Sequence, residues 1–129
     1  SFPVSLLFID LDGFKAVNDT LGHKAGDALL KAMVREVKAI IRRYDIFVRM
    51  GGDEFVILLP DTDYGSGAAF GERVFKAVST ISVAECTRQD TGLSISASIG
   101  VAELDAGETL QDLIKKADTR MYEAKRRKK

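Results

Sequence analysis

The sequence predicts an α+β fold, a ferredoxin-like α/β sandwich with a palm-type sheet flanked by helices and an added hairpin strand. Three observations predict it. Val4-Ser5-Leu6-Leu7-Phe8-Ile9 is a nearly continuous apolar, β-rich run, as expected of a central strand covered on both faces. From Asp27 onward Leu30, Met33, Val34, Val37, Ile40 and Ile41 recur at three and four residues, the buried stripe of an amphipathic helix. Residues 46–50 and 55–59 form two apolar segments separated by Gly51-Gly52-Asp53-Glu54, which signals a hairpin.

The remaining elements come in order along the chain. The first strand stops at Asp10, and Arg42 and Arg43 close the helix where cations suit its dipole. Pro60-Asp61 ends the hairpin. Residues 68–78 read as a second helix, 81–87 as a strand, 93–102 as a strand whose alternating Ser suits a half-exposed sheet, and 110–125 as a last helix. The predicted order is β-α-β-β-α-β-β-α. No repeat or low-complexity linker interrupts it, and the one charge run, Lys125-Arg126-Arg127-Lys128-Lys129, reads as a frayed, solvated tail.

With 129 residues, 46% of them hydrophobic, residues 1–129 suit one domain with a single core. Lys plus Arg and Asp plus Glu each number 19, so overall charge recruits neither nucleic acid nor a membrane surface, and an anion site must be local. Cys86 is the single cysteine and has no internal disulfide partner. No apolar run approaches the length that spans a bilayer, so direct membrane insertion is not expected. The expected setting is cytoplasmic, for a domain that can belong to a membrane-anchored protein. Ser1-Phe2-Pro3-Val4 lacks a charged leader and runs straight into a strand, as in a domain excised from a longer signalling protein.

Side chains alternate along a strand, so Asp10 and Asp12 point one way and Leu11 the other. Two such carboxylates repel, and a cation or a hydrogen-bonded role for one of them resolves the repulsion. Mg²⁺ is commonly held by one or two carboxylates and completes its shell with water and phosphate, which fits a site this sparse. An isolated Asp-x-Asp equally well ends a strand and caps the next element. The hairpin tip adds Asp53 and Glu54, which the predicted sheet can bring beside the first strand's end. An ordinary Gly-rich turn with solvated acids is the bland alternative.

Between these acids, residues 13–27 are dense in donors, acceptors and glycines, a composition able to wrap a ligand. Main-chain N–H groups and Lys15 can hold phosphate, while an amide and a carboxylate, Asn18 and Asp27, match the mixed edge of guanine. Acceptance from guanine N1–H and N2–H₂ discriminates against adenine. Singly, Asn18 also suits a turn, Asp27 a helix N-cap and His23 the surface.

Together these residues resemble the GGDEF-domain diguanylate cyclases. Gly51-Gly52-Asp53-Glu54-Phe55 is the signature, preceded by Arg49-Met50 where the family usually has Arg-Tyr. Phe8-Ile9-Asp10-Leu11-Asp12-Gly13-Phe14-Lys15-Ala16-Val17-Asn18-Asp19, Leu21-Gly22-His23-Lys24-Ala25-Gly26-Asp27, Ser98-Ile99-Gly100-Val101-Ala102 and the stretch from Lys116 to Lys125 follow its other blocks. The resemblance implies condensation of two GTP into cyclic di-GMP and two pyrophosphates, with Mg²⁺ or Mn²⁺ as cofactor. It implies that Asp10, Asp53 and the Leu11 carbonyl hold metal. Asn18 and Asp27 would read guanine, with Phe14 and His23 in the substrate site. Lys15 would stabilise the transferring phosphate, Lys116 and Arg120 would hold terminal phosphates, and Asp53 would accept the proton, with Glu54 an acidic neighbour.

The resemblance further implies a homodimer of half-sites, each holding one GTP. Arg42 and Asp45 stand at the family's product-inhibition position, where they would bind cyclic di-GMP; an exposed Arg-Asp pair of little energetic weight is the alternative. The family's usual leading helix with Asp-x-Leu-Thr-Gly-Leu-x-Asn-Arg and its trailing Gly-Arg-Asn are absent from the sequence, which places any upstream sensor or dimerisation module outside it. Three other readings compete. A silent GGDEF domain would bind GTP or cyclic di-GMP without turnover. Another nucleotidyl cyclase or polymerase-like enzyme would use the same two carboxylates. A plain interaction domain would use these polar residues only in turns and on its surface.

Overall fold

The computed structural model describes residues 2–128. Its elements are β1 (Val4–Asp12), α1 (Phe14–Leu21), α2 (His23–Lys38), β2 (Ile46–Gly51), β3 (Glu54–Pro60), α3 (Tyr64–Ser79), α4 (Val83–Thr87), β4 (Ser96–Glu103) and α5 (Leu110–Arg127). The four strands lie in the order β2-β3-β1-β4, each antiparallel to its neighbour. The α+β expectation is met, with β1 inside the sheet as its apolar run predicts.

Period-2 alternation decides what β1 does on each face. Leu7, Ile9 and Leu11 join Ile57 and Leu59 in a core completed by Val17 of α1, Leu29, Met33 and Val37 of α2, and Val74 and Val78 of α3. Leu6 and Phe8 face the opposite side with Val56 and Ala102, and there Leu113, Ala117 and Met121 of α5 cover them. Asp10 and Asp12 continue that second series, so both carboxylates emerge on the α5 side. α5 itself starts with a capping box, Thr109 accepting from the Asp112 amide at 3.1 Å and Asp112 from the Thr109 amide at 2.9 Å.

Several elements differ from the sequence expectation. Residues 81–87, read as a strand, contain the short helix α4, because Ser82 accepts the Glu85 amide at 3.1 Å and Val83 turns into the core. A short apolar run carries no period that separates strand from helix. Residues 13–27 are not an open wrapping loop. They form α1 and the start of α2, broken at Gly22, whose φ of 94° suits glycine. Asp27 therefore lies inside α2 and is not its N-cap. α3 begins at Tyr64, four residues before the expected start, because Asp63 accepts the Ser66 amide at 2.8 Å. β4 starts at Ser96 where residue 93 was expected. Among the described residues no helix is long and apolar enough to cross a membrane.

α5 crosses β4 so closely that Gly100 has no space for a side chain. A Cβ there would overlap the Ala117 carbonyl and the Met121 amide, which are main-chain atoms that cannot swing aside. Overpacking of this kind typically costs about 1–3 kcal/mol. We therefore expect Gly100→Ala to destabilise the domain by about 2 kcal/mol or more, read as a lower urea midpoint at unchanged slope.

Candidate active site

Asp10 is 6% exposed, and its cross-strand partner is Glu54, which opens β3. The hairpin tip is tied to β1 by the main chain, the Leu11 amide donating to the Asp53 carbonyl at 3.1 Å. Asp10, Asp53 and Glu54 therefore meet at one end of the sheet, as the strand arithmetic predicts. Asp12 is the hydrogen-bonded acid of the first pair. Its Oδ2 accepts from Ser98 Oγ at 2.7 Å and Lys128 Nζ at 2.6 Å. Asp10 differs, because Lys125 Nζ donates to its Oδ2 at 2.6 Å while its buried Oδ1 has no hydrogen-bond partner among the described residues.

The cations that α5 and its C-cap deliver to these acids are Lys125 at Asp10 and Lys128 at Asp12. Lys116 stands nine residues before Lys125, roughly 13 Å back along the helix axis. It donates instead to Asp105 at 2.9 Å and Glu108 at 2.8 Å in the loop before α5. Arg120 donates to the Val101 carbonyl at 2.7 Å and lies over the Tyr64 ring. The structure thus does not bring Lys116 and Arg120 to the acids. α5 runs so that its C-terminal turn meets the end of β1, an orientation that spacing within α5 does not reveal. The solvated-tail reading fails for the same reason, since Lys125 and Lys128 are both ion-paired; Lys129 lies outside the described residues.

On α1, Phe14 and Asn18 are one turn apart and face α2 at Gly26, with Phe14 buried and Asn18 half-buried. Asp27 comes directly after, exposed at the edge of a cleft of about 690 Å³ shared with Leu30, Phe47, Arg49 and Phe55. Asn18 and Asp27, the residues expected to read a base, thus sit on two packed helices. Lys15 is exposed and pairs with Asp19 at 3.3 Å, and exposed His23 opens α2.

The family model for the diguanylate cyclase GGDEF domain matches residues 1–129. The chain belongs to the GGDEF domain family. A bifunctional diguanylate cyclase/cyclic di-GMP phosphodiesterase of Pseudomonas aeruginosa, MucR, is 41% identical over 122 residues, covering 94% of this chain and 17% of that protein. Diguanylate cyclase DgcM of Escherichia coli is 37% identical over 121 residues, covering 94% of this chain and 28% of that protein. This GGDEF domain therefore spans under a third of either relative. Among solved structures, diguanylate cyclase SiaD of Pseudomonas aeruginosa, in complex with its activator SiaC, superposes with a TM-score of 0.87 at 40% identity. The match covers 97% of this chain and 47% of that one. The GGDEF domain of DgcB from Caulobacter crescentus, in complex with cyclic di-GMP, gives 0.88 at 30% identity over 96% of this chain and 72% of that one.

Burial and mutual repulsion govern the electrostatics of these acids in this GGDEF domain. Burial, then the nearby Asp10 charge, pushes the Asp53 carboxyl above the usual carboxylate range. Burial, then Asp10, Asp118 and Asp53, pushes Glu54 up as well. Lys125 is held above its ordinary range chiefly by its hydrogen bond to Asp10. Among the described residues no three His, Cys, Asp or Glu side chains are grouped to hold a metal ion. Two carboxylates and a main-chain carbonyl are nevertheless a donor set that Mg²⁺ accepts, and the partnerless Asp10 Oδ1 supplies a buried anionic oxygen for one.

At the far end of β3, Arg42 and Asp45 form more than an exposed pair. The Asp45 side chain is 0% exposed, and it accepts from the Arg42 amide at 2.7 Å and from Nη2 at 2.8 Å. Arg42 Nη2 also reaches the Pro60 carbonyl at 2.9 Å and Thr62 Oγ1 at 2.7 Å. A cavity of about 330 Å³ beside it is lined by Ser66, Phe70 and Arg73 as well. Arg73 had no sequence signal, because only the packing of α3 against this corner brings it there.

The raised Asp53 pKa carries a sign. A folded value above the unfolded one means that ionisation costs the fold, so this group's contribution to stability is lost as pH rises through the carboxylate range. Asp53→Asn should therefore melt above the wild type in chelator at pH 7, with the advantage shrinking as pH falls towards 4. Thermal melts across that range check it.

Proposed function

We propose that this GGDEF domain is the catalytic unit of a diguanylate cyclase, condensing two GTP into cyclic di-GMP and two pyrophosphates with Mg²⁺ or Mn²⁺. The observation that carries the reading is the buried Asp10 carboxylate beside Asp53, one oxygen held by Lys125 and the other without a partner among the described residues. Family membership and relatives named as diguanylate cyclases support it.

In this reading Asp10, Asp53 and the Leu11 carbonyl would hold the cation, which would supply neutralisation of charge on the phosphoryl oxygens. Asp53, whose proton affinity is raised by burial and by Asp10, is suited to take the proton from the attacking 3′-hydroxyl. Lys125 adds a positive charge at the acids, while Lys116 and Arg120, further back along α5, hold the terminal phosphates. Lys15 and His23, exposed at the starts of α1 and α2, complete the polar surround, and Glu54 adds to the acidic field. Asn18 and Asp27 read the guanine edge, with Phe14 packed behind Asn18. Each domain offers one base-reading pair and one acid cluster, so the bond between two GTP molecules forms where two copies face each other as a homodimer.

Product inhibition belongs to the same proposal, with cyclic di-GMP held at Arg42 and Asp45 and Arg73 adding a second guanidinium on the cavity wall. The cyclic di-GMP complex of the related DgcB domain supports cyclic di-GMP as the ligand class.

Incubation with GTP or ATP and Mg²⁺ or Mn²⁺ at high protein concentration should give cyclic di-GMP from GTP alone, identified chromatographically. Asp53→Ala should lower turnover at least about 100-fold, the scale seen when a group stabilising developing charge is removed. GTP binding without product, even after fusion to a dimeric coiled coil, would establish a silent binding domain instead. Separately, Arg42→Ala should relieve inhibition by added cyclic di-GMP while leaving GTP affinity in place, and an unchanged inhibition curve would remove the product site from the proposal.

A further inference from the structure

Gly26 lies in the first turn of α2, buried, where alanine would be the better helix former. Its backbone needs no glycine, because it is not among the positive-φ glycines. What the missing side chain provides is space. A Cβ at Gly26 would overlap Asn18 Oδ1 outright, stand 2.8 Å from Asn18 Cγ and reach Phe14 Cζ at 3.2 Å. The amide of Asn18 therefore occupies the volume that any other residue at position 26 would fill.

We propose that Gly26 is a positioning residue for base recognition. It seats the Asn18 amide against α2 directly beside Asp27, so that an amide from α1 and a carboxylate from α2 meet one edge of a guanine. This rests on the reading of Asn18 and Asp27 as the base-reading pair and adds the constraint that holds them in register. The seat is built from α1 and α2 alone, so an added methyl moves the Asn18 side chain and leaves the acid cluster at Asp10 and Asp53 untouched.

A double-mutant cycle tests it, with equilibrium binding of unreactive GTP and ATP analogues measured by calorimetry. Asn18→Ala should lower the GTP-over-ATP preference by about 3- to 10-fold, the worth of one neutral hydrogen bond. Gly26→Ala should lower it by a similar factor, and the double variant no further, because both act through one amide. The double variant should also melt above Gly26→Ala alone, since truncating Asn18 makes room for the methyl. That rescue remains readable if Gly26→Ala by itself does not fold. Multiplying losses, a preserved preference in Gly26→Ala, or no rescue would overturn the positioning role while the base-reading pair stands. An unchanged preference in Asn18→Ala would instead remove Asn18 from base reading, and the positioning role with it.

Discussion

Two carboxylates at the end of a strand buried on both faces must be compensated, and the rest of the molecule is arranged around that requirement. β1 has no freedom to turn Asp10 and Asp12 outward, because sliding its register by one residue would drive Leu7, Ile9 and Leu11 out of their core. The compensation comes from α5, whose last turn sends Lys125 to Asp10 and Lys128 to Asp12, and from Ser98, which donates to Asp12. α5 can do this only because it lies against β4 at Gly100. A packing detail in one strand thus sets the charge balance at the end of another.

The compensation is uneven, and the unevenness separates structure from chemistry. Asp12 is fully engaged and reads as an anchor for α5. Asp10 keeps one oxygen buried and partnerless, while Asp53 and Glu54 are both made harder to ionise by the same crowding. Leaving a buried acceptor unmatched costs free energy that a purely structural site would avoid. A cation and a phosphate group, as proposed for this site, would offset that cost.

Much of this was legible in the sequence because it rests on short-range rules. Continuous apolar character placed β1 inside the sheet, alternation placed Asp10 and Asp12 on one face, and the glycine-rich tip placed Asp53 and Glu54 beside them. What the sequence hid depends on how distant elements meet. Nothing in the spacing of α5 says which turn faces the acids, so Lys125 stood out only once the helix was laid on the sheet. Residues 81–87 are too short for a period to show, and the Ser82 cap decided for a helix. Arg73 matters only through the loop residues Arg42 and Thr62 that it meets across a cavity, and Gly26 only through Phe14 and Asn18 of α1.

β3 joins the two proposed sites. It begins at Glu54 beside the acids and ends at Pro60, whose carbonyl binds Arg42, so the proposed catalytic and product sites stand at opposite ends of one seven-residue strand. That separation is about 20 Å at 3.3 Å per residue, and the Debye length at physiological salt is about 8 Å. Direct charge interaction between the sites is therefore largely screened, although the interior strand transmits position well because it is paired on both sides. A ligand closing on Arg42 and Arg73 can influence turnover in two ways that this geometry allows. It can shift β3 as a rigid piece, or it can fix the attitude in which one domain meets another. The strand is held by β1 and β2 along its length, which leaves little room for the first. The second asks nothing of the core, and it would act on the proposed step in which two half-sites face each other.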